Sequence, residues 1–126
     1  MNTLCKAERL YSKIIIEKMF AGGASRSFSV FPLRAVYMSV EKQEMPVSIL
    51  ISVPKKRFKR AVKRNRVKRQ VREAYRKNKE VLWQALEDKE QGVAVAFIYL
   101  SNELFPSVEI ENKIKILLAR ITEKLE

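Results

Sequence analysis

The stretch from Lys55 to Lys79, KKRFKRAVKRNRVKRQVREAYRKNK, holds fourteen Lys and Arg residues and one acid, Glu73, so it carries +13 in 25 residues. The other 101 residues hold twelve basic and thirteen acidic groups, a net of −1, against +12 for the whole 126-residue chain. Clustered guanidinium and ammonium groups suit one chemistry above others. They bind phosphate, Arg through a planar fork and Lys as a point charge. A near-neutral body that holds such a block against its own repulsion points to a polyanion partner. A solvated face would intersperse both signs, as the rest of this chain does. A localisation run would be shorter and sit in a tail, and a patch for anionic membranes is the remaining rival. Charge alone leaves RNA and DNA equally open.

Other chemistries are set aside by what is missing. With no His and one Cys, Cys5, the sequence predicts no zinc finger, no Cys–His nucleophile pair, no Ser–His–Asp triad and no internal disulfide. The sole Asp is Asp88, in the charged run EDKE, and Glu17, Glu41 and Glu44 show no metal-site spacing. A two-metal nuclease needs convergent carboxylates, and a metal-free ribonuclease ordinarily needs a His. Gly22-Gly23 is followed by no Lys-Ser/Thr, so it is no P-loop. The chemistry reads as binding, with no catalytic and no metal residues in the protein. Cys5 reads as an inert thiol. A lone Cys suits a reducing compartment, and the cytoplasm is expected. The start, MNTLCKAERLYSKIIIEKMF, is broken by Lys and Glu and does not read as a signal peptide, and no apolar run approaches a membrane span.

These side chains need positioning. From Ala61 to Lys77 the period is helical. Val67, Val71, Ala74 and Tyr75 make a stripe for burial, while Asn65, Arg69, Arg72 and Arg76 lie opposite. The basic segment is therefore expected to be a docked amphipathic helix. The helix continues or restarts through Asn78 to Glu90 and is broken at Gln91-Gly92. Residues 7 to 21 predict an N-terminal helix and 24 to 29 a loop. Val30 to Val40, Val47 to Val53 and Val93 to Leu100 predict strands, with Pro32 marking an edge or bulge. From Ser107, Ile110, Ile114, Leu117, Leu118, Ile121 and Leu125 predict a C-terminal helix. The order predicts an α+β fold spanning residues 1–126 as a single domain: an α/β sandwich, a small mixed sheet packed by helices. Phe20, Phe31, Tyr37 and Trp83 read more readily as core than as base-stacking groups. Phe58, inside the basic run, suits either role.

The residues from Ser52 to Arg76 carry a more specific signal. Lys55-Lys56, Ala61-Val62, Arg64-Asn65-Arg66, Val67, Lys68-Arg69 and Arg72-Glu73 follow one another at the spacing that marks the protein component of bacterial ribonuclease P, and the segment resembles that signature closely. Ile16-Glu17-Lys18-Met19-Phe20 followed by Gly22-Gly23 is similar to that family's N-terminal helix, with Ile16 where a Phe is usual. Val93 to Tyr99 and the C-terminal helix match in order and length. Where some members have a Gly after the Lys-Lys pair, this chain has Arg57-Phe58-Lys59-Arg60. The stretch from Asn78 to Gln91 is longer than in many members and is assigned no role.

The resemblance implies a left-handed β-α-β crossover carrying the basic helix, against the usual right-handed rule. It implies a large catalytic RNA as partner, which holds the active site and the Mg2+ ions that the holoenzyme requires, and precursor tRNA as substrate, whose 5′ leader is removed by hydrolysis. No membrane and no obligate protein partner are implied. Arg64, Arg66, Lys68, Arg69 and Arg72 would meet phosphates of the RNA, with Arg60, Lys63 and Arg76 extending the basic surface. Asn65 would hold the helix start or a sugar–phosphate group. Ile16, Phe20 and Tyr37 would line a cleft for the single-stranded leader, with Lys55 and Lys56 at its rim. The rival readings are a structural RNA-binding protein of ribosomal type, a DNA-binding transcription factor and a protein-only nuclease. The first explains charge and fold but not the spacing around Arg64-Asn65-Arg66. The second lacks a helix-turn-helix partner for its basic helix.

Overall fold

The computed structural model describes residues 16–17, 20–21, 25–41, 46–87 and 89–125. Four strands, β1 (Arg26–Val30), β2 (Leu33–Glu41), β3 (Val47–Ser52) and β4 (Gln91–Tyr99), form one mixed sheet in the order β1-β2-β4-β3. Three helices follow β3 in the described chain: α1 (Ala61–Asn78), α2 (Glu80–Leu86) and α3 (Ser107–Leu125). Ile16, Glu17, Phe20 and Ala21 are also helical. The rest of the predicted N-terminal helix, with Cys5, Gly22 and Gly23, lies outside the described residues, as does Asp88.

The strands follow from their side chains. β3 and β4 are β-branched and apolar, and β4 is buried along nearly its whole length, as expected of a strand paired on both sides. β4 runs antiparallel to β2, with Tyr37 opposite Val95, and parallel to β3, with Ile49 opposite Val95. The parallel pair requires a crossover, and α1 and α2 form it. β1 stands where a loop was expected. Its sequence, RSFSV, reads as polar because Ser27 and Ser29 point outward, while Phe28 and Val30 pack on the core. An edge strand with a solvated side leaves too few apolar residues to show in composition. Val30 ends this strand. Phe31 and Pro32 make a turn with a cis peptide bond, and the Leu100 amide donates to the Pro32 carbonyl at 2.7 Å. Gln91 and Gly92, expected to break a helix, already belong to β4.

Each sheet face has its own cluster, as side chains alternate along a strand. On one face Ala35, Tyr37, Val47, Ile49, Val93, Val95, Phe97 and Tyr99 meet the helices. There α1 contributes Val67, Val71, Ala74 and Tyr75, the predicted stripe, and α3 contributes Ile110, Ile114, Leu117, Leu118 and Ile121. Burying each of the larger aliphatic side chains contributes about 1.5–3 kcal/mol, enough collectively to hold a highly charged helix on the sheet. On the other face Val36, Met38, Ala94 and Ala96 form a smaller cluster, joined by Val40, Leu50, Ile98 and Ile16.

The aromatics divide. Phe58 is buried against Tyr99, ring centroids 5.9 Å apart, so packing is its role. Trp83 packs on the main core. Its indole donates to the Tyr75 hydroxyl at 3.1 Å, and the buried Lys79 ammonium lies 4.6 Å from its ring centre. Phe20 and Phe31, which read as core, are half or more exposed. Phe31 is at a turn and touches Phe105 edge-on, centroids 6.0 Å apart.

Candidate nucleic-acid interface

α1 is a cationic helix because its burial is narrow. Val67, Gln70, Val71, Ala74 and Tyr75 are buried, and most of the remaining surface is left to Lys and Arg. Lys63, Asn65, Arg66 and Arg69 are exposed, and Lys68 and Arg72 are half-buried. Two shallow hollows run along this surface. One, of about 440 Å3, is lined by Val62, Asn65, Lys68, Arg69 and Arg72. The second, of about 460 Å3, lies where α1 meets the start of α3, and is lined by Arg66, Arg69, Gln70, Arg72, Glu73 and Ser107. Arg69 and Arg72 stand in the wall of both. Such an array can engage successive phosphates of a strand or duplex while its apolar back is held on the sheet.

The predicted cations do not all have the same freedom. One terminal nitrogen of Arg64 donates to the Phe58 and Lys59 carbonyls at 2.7 and 2.9 Å. Arg64 therefore fastens the loop between β3 and α1, an anchoring role that its position in the motif did not reveal. Arg76 forms an ion pair with Glu73 one turn back, its Nε donating at 3.0 Å. That hydrogen bond holds the Glu73 carboxyl below its ordinary range and raises the guanidinium. Lys55 and Lys56 are exposed at the turn closed by the Arg57 amide and the Pro54 carbonyl, 3.0 Å apart. Asn65 is exposed in the second turn of α1 and does not cap its start.

The helix start itself is unusual. Arg60 occupies the cap position without a capping side-chain hydrogen bond, and the first turn contains no acid. Helix N-termini carry partial positive charge and favour Ser, Asp or an anion. Here the cap residue is itself a cation, opposite in sign to the favoured charge.

The predicted leader cleft is redistributed by strand register. Ile16 packs on the small cluster with Val36 and Met38, whereas Tyr37 is buried in the main core, stacked on Phe28 at 5.7 Å. Tyr37 and Ile16 therefore lie on opposite faces of the sheet, because a shift of one residue along β2 reverses the face. Among the described residues the Tyr37 hydroxyl is buried without a partner, and burial raises its pKa against the opposing charge of Arg26. Phe20 remains available, half exposed beside Ala21.

Sequence reasoning missed Gln70 and Ser107. Gln70 is a polar residue one position before Val71 and inside the apolar stripe, the only signal it offered. Among the described residues no group of three His, Cys, Asp or Glu side chains could hold a metal ion.

The family model described as Ribonuclease P matches residues 4–122. The ribonuclease P protein component of Porphyromonas gingivalis is 49% identical over 109 residues, 84% of this chain and 78% of that protein. Its counterpart from Chlorobaculum tepidum is 36% identical over 115 residues, 86% and 75% of the two chains. In fold, the chain is similar to the Staphylococcus aureus RNase P protein, with a TM-score of 0.67 at 18% identity over 92% of this chain and 96% of that one. The Thermotoga maritima RNase P protein gives 0.59 at 21% identity, covering 94% and 98%. With the basic helix, the mixed sheet and the extent of these matches in agreement, the chain belongs to the bacterial ribonuclease P protein family, the protein subunits of ribonuclease P in tRNA processing.

Proposed function

We propose that the protein binds the catalytic RNA of ribonuclease P through α1 and holds the 5′ leader of precursor tRNA, while the RNA carries the active site and the Mg2+ ions. The single observation behind this reading is the division of α1 into an apolar side seated on the sheet and a cationic side lined by Arg66, Lys68, Arg69 and Arg72. A helix so divided is a rigid phosphate-binding edge. Hydrolysis needs an activated water and a stabilised leaving oxygen, and the protein's contribution is to raise local affinity and neutralise charge. Lys55 and Lys56 at their turn, and Phe20 and Ile16 in the N-terminal helix, supply cationic and apolar contacts for an unpaired leader. No helix among the described residues is long and apolar enough to cross a membrane, and the cytoplasm is the compartment in which precursor tRNA would be met.

The test is cleavage of precursor tRNA at low Mg2+ by protein alone, catalytic RNA alone and the two mixed. Activity restricted to the mixture, or much greater in it, is expected. Cleavage by protein alone would overturn the assignment of chemistry to the RNA. Tight RNA binding with no gain in cleavage would favour a purely structural RNA-binding protein.

A further inference from the structure

The hollow between α1 and α3 contains a group that phosphate binding does not use. Gln70 is 9% exposed. Its Nε2 donates to the Phe105 carbonyl at 2.9 Å and to the Ser107 hydroxyl oxygen at 3.1 Å. A carbonyl can only accept, so the amide is fixed with its nitrogen toward Phe105 and cannot turn over. Its Oε1 is then a buried acceptor without a partner among the described residues. Such an atom is costly to leave unsatisfied. Gln70 belongs to the wall that also holds Arg66, Arg69, Arg72 and Ser107, the first residue of the 19-residue α3. The one acid of that wall, Glu73, is engaged by Arg76. The wall therefore offers cations, the positive end of a helix and one fixed acceptor. Its complement is an anion with a hydroxyl donor beside it.

We propose that this hollow seats one ribose–phosphate unit of RNA, its phosphate on Arg66 and Arg69 and its 2′-hydroxyl donating to Gln70 Oε1. This rests on the RNA-binding reading of α1 and adds a selectivity to it: deoxyribose brings the same phosphate but no donor. Protonated inorganic phosphate also combines anion and hydroxyl, so the probes must separate the two sources.

The experiment measures binding of the full chain to fluorescein-labelled single-stranded oligonucleotides of one sequence, by anisotropy at fixed salt. Ribose, 2′-deoxy and 2′-O-methyl forms are compared, and inorganic phosphate serves as competitor. The ribose form should bind about three- to tenfold more tightly than either of the others, the range of one hydrogen bond. Gln70→Leu should bring the ribose form down to the level of the other two. A ribose preference that survives in Gln70→Leu overturns the proposal. So does equal binding of ribose and 2′-O-methyl probes by the unaltered protein, a test that does not depend on the variant folding. Inorganic phosphate displacing all three probes equally, with no ribose preference, marks an anion site only and also overturns it. If the unaltered protein raises precursor-tRNA cleavage by the catalytic RNA yet shows no ribose preference, this site fails and the subunit reading stands. Failure to raise cleavage overturns the subunit reading instead.

Discussion

Arg66 and Arg69 stand one turn apart on the exposed side of α1 and share the hollow at the start of α3. Each cation that neutralises a phosphate releases counterions, so its loss changes the salt dependence as well as the affinity. Replacing both with Ala should weaken assembly on the catalytic RNA and flatten the plot of log K against log salt by roughly 1.4–1.8. Binding unchanged at every salt concentration would refute their assignment. Arg64→Ala is the contrast. Its carbonyl contacts place it in the fold, so it should lower stability by about 1 kcal/mol and leave most of the slope intact. Tyr99 gives a residue-level pH dependence. Its hydroxyl donates to the Glu103 carbonyl at 2.6 Å, and burial, with the Glu103 carboxylate, pushes its pKa up to about 12. In the unfolded chain a phenol ionises near 10. Between about pH 10 and 12 the unfolded state has lost a proton that the folded state keeps, so stability falls as pH rises through that window. Urea midpoints measured from pH 9 upward should drop more steeply for the unaltered protein than for Tyr99→Phe.

Among the elements, α1 illustrates both what the sequence shows and what it hides. Its stripe of Val67, Val71, Ala74 and Tyr75 was legible because burial on a helix repeats at a period that side-chain type records. The anchoring by Arg64 was not, since an arginine looks the same whether it faces phosphate or a carbonyl. β1 was missed because an edge strand needs only Phe28 and Val30 to face inward. Tyr37 was assigned to a cleft with Ile16, but face is a matter of register, and β2 has apolar residues on both sides from Ala35 to Met38. The start of α1 yields its own prediction. Arg60→Asp supplies both a cap and a charge of the favoured sign, worth about 1 kcal/mol together and about 4 °C in melting temperature for a domain of this size. The same change should weaken RNA binding, because it replaces a cation of the basic surface with an acid. Thermal melts and RNA titrations on one preparation would check both. A variant that melts lower and binds RNA as before would contradict the account.

For the whole molecule, the +13 segment is internal and held close to itself, so its repulsion opposes compaction. Added phosphate or sulfate should screen it and make the free chain more compact, measured as hydrodynamic radius across an anion series. A radius that stays flat would argue against this. The sheet order has a consequence in time. β4 is the last of the four strands in sequence, yet it lies between β2 and β3. During synthesis those two strands have no common neighbour until Tyr99 has emerged. At about 5–20 residues per second, roughly 2 to 10 s separate the appearance of β3 from that of the strand that joins it to the sheet. The cations of α1 emerge within that interval. The nascent chain thus displays its charge before it owns a complete sheet.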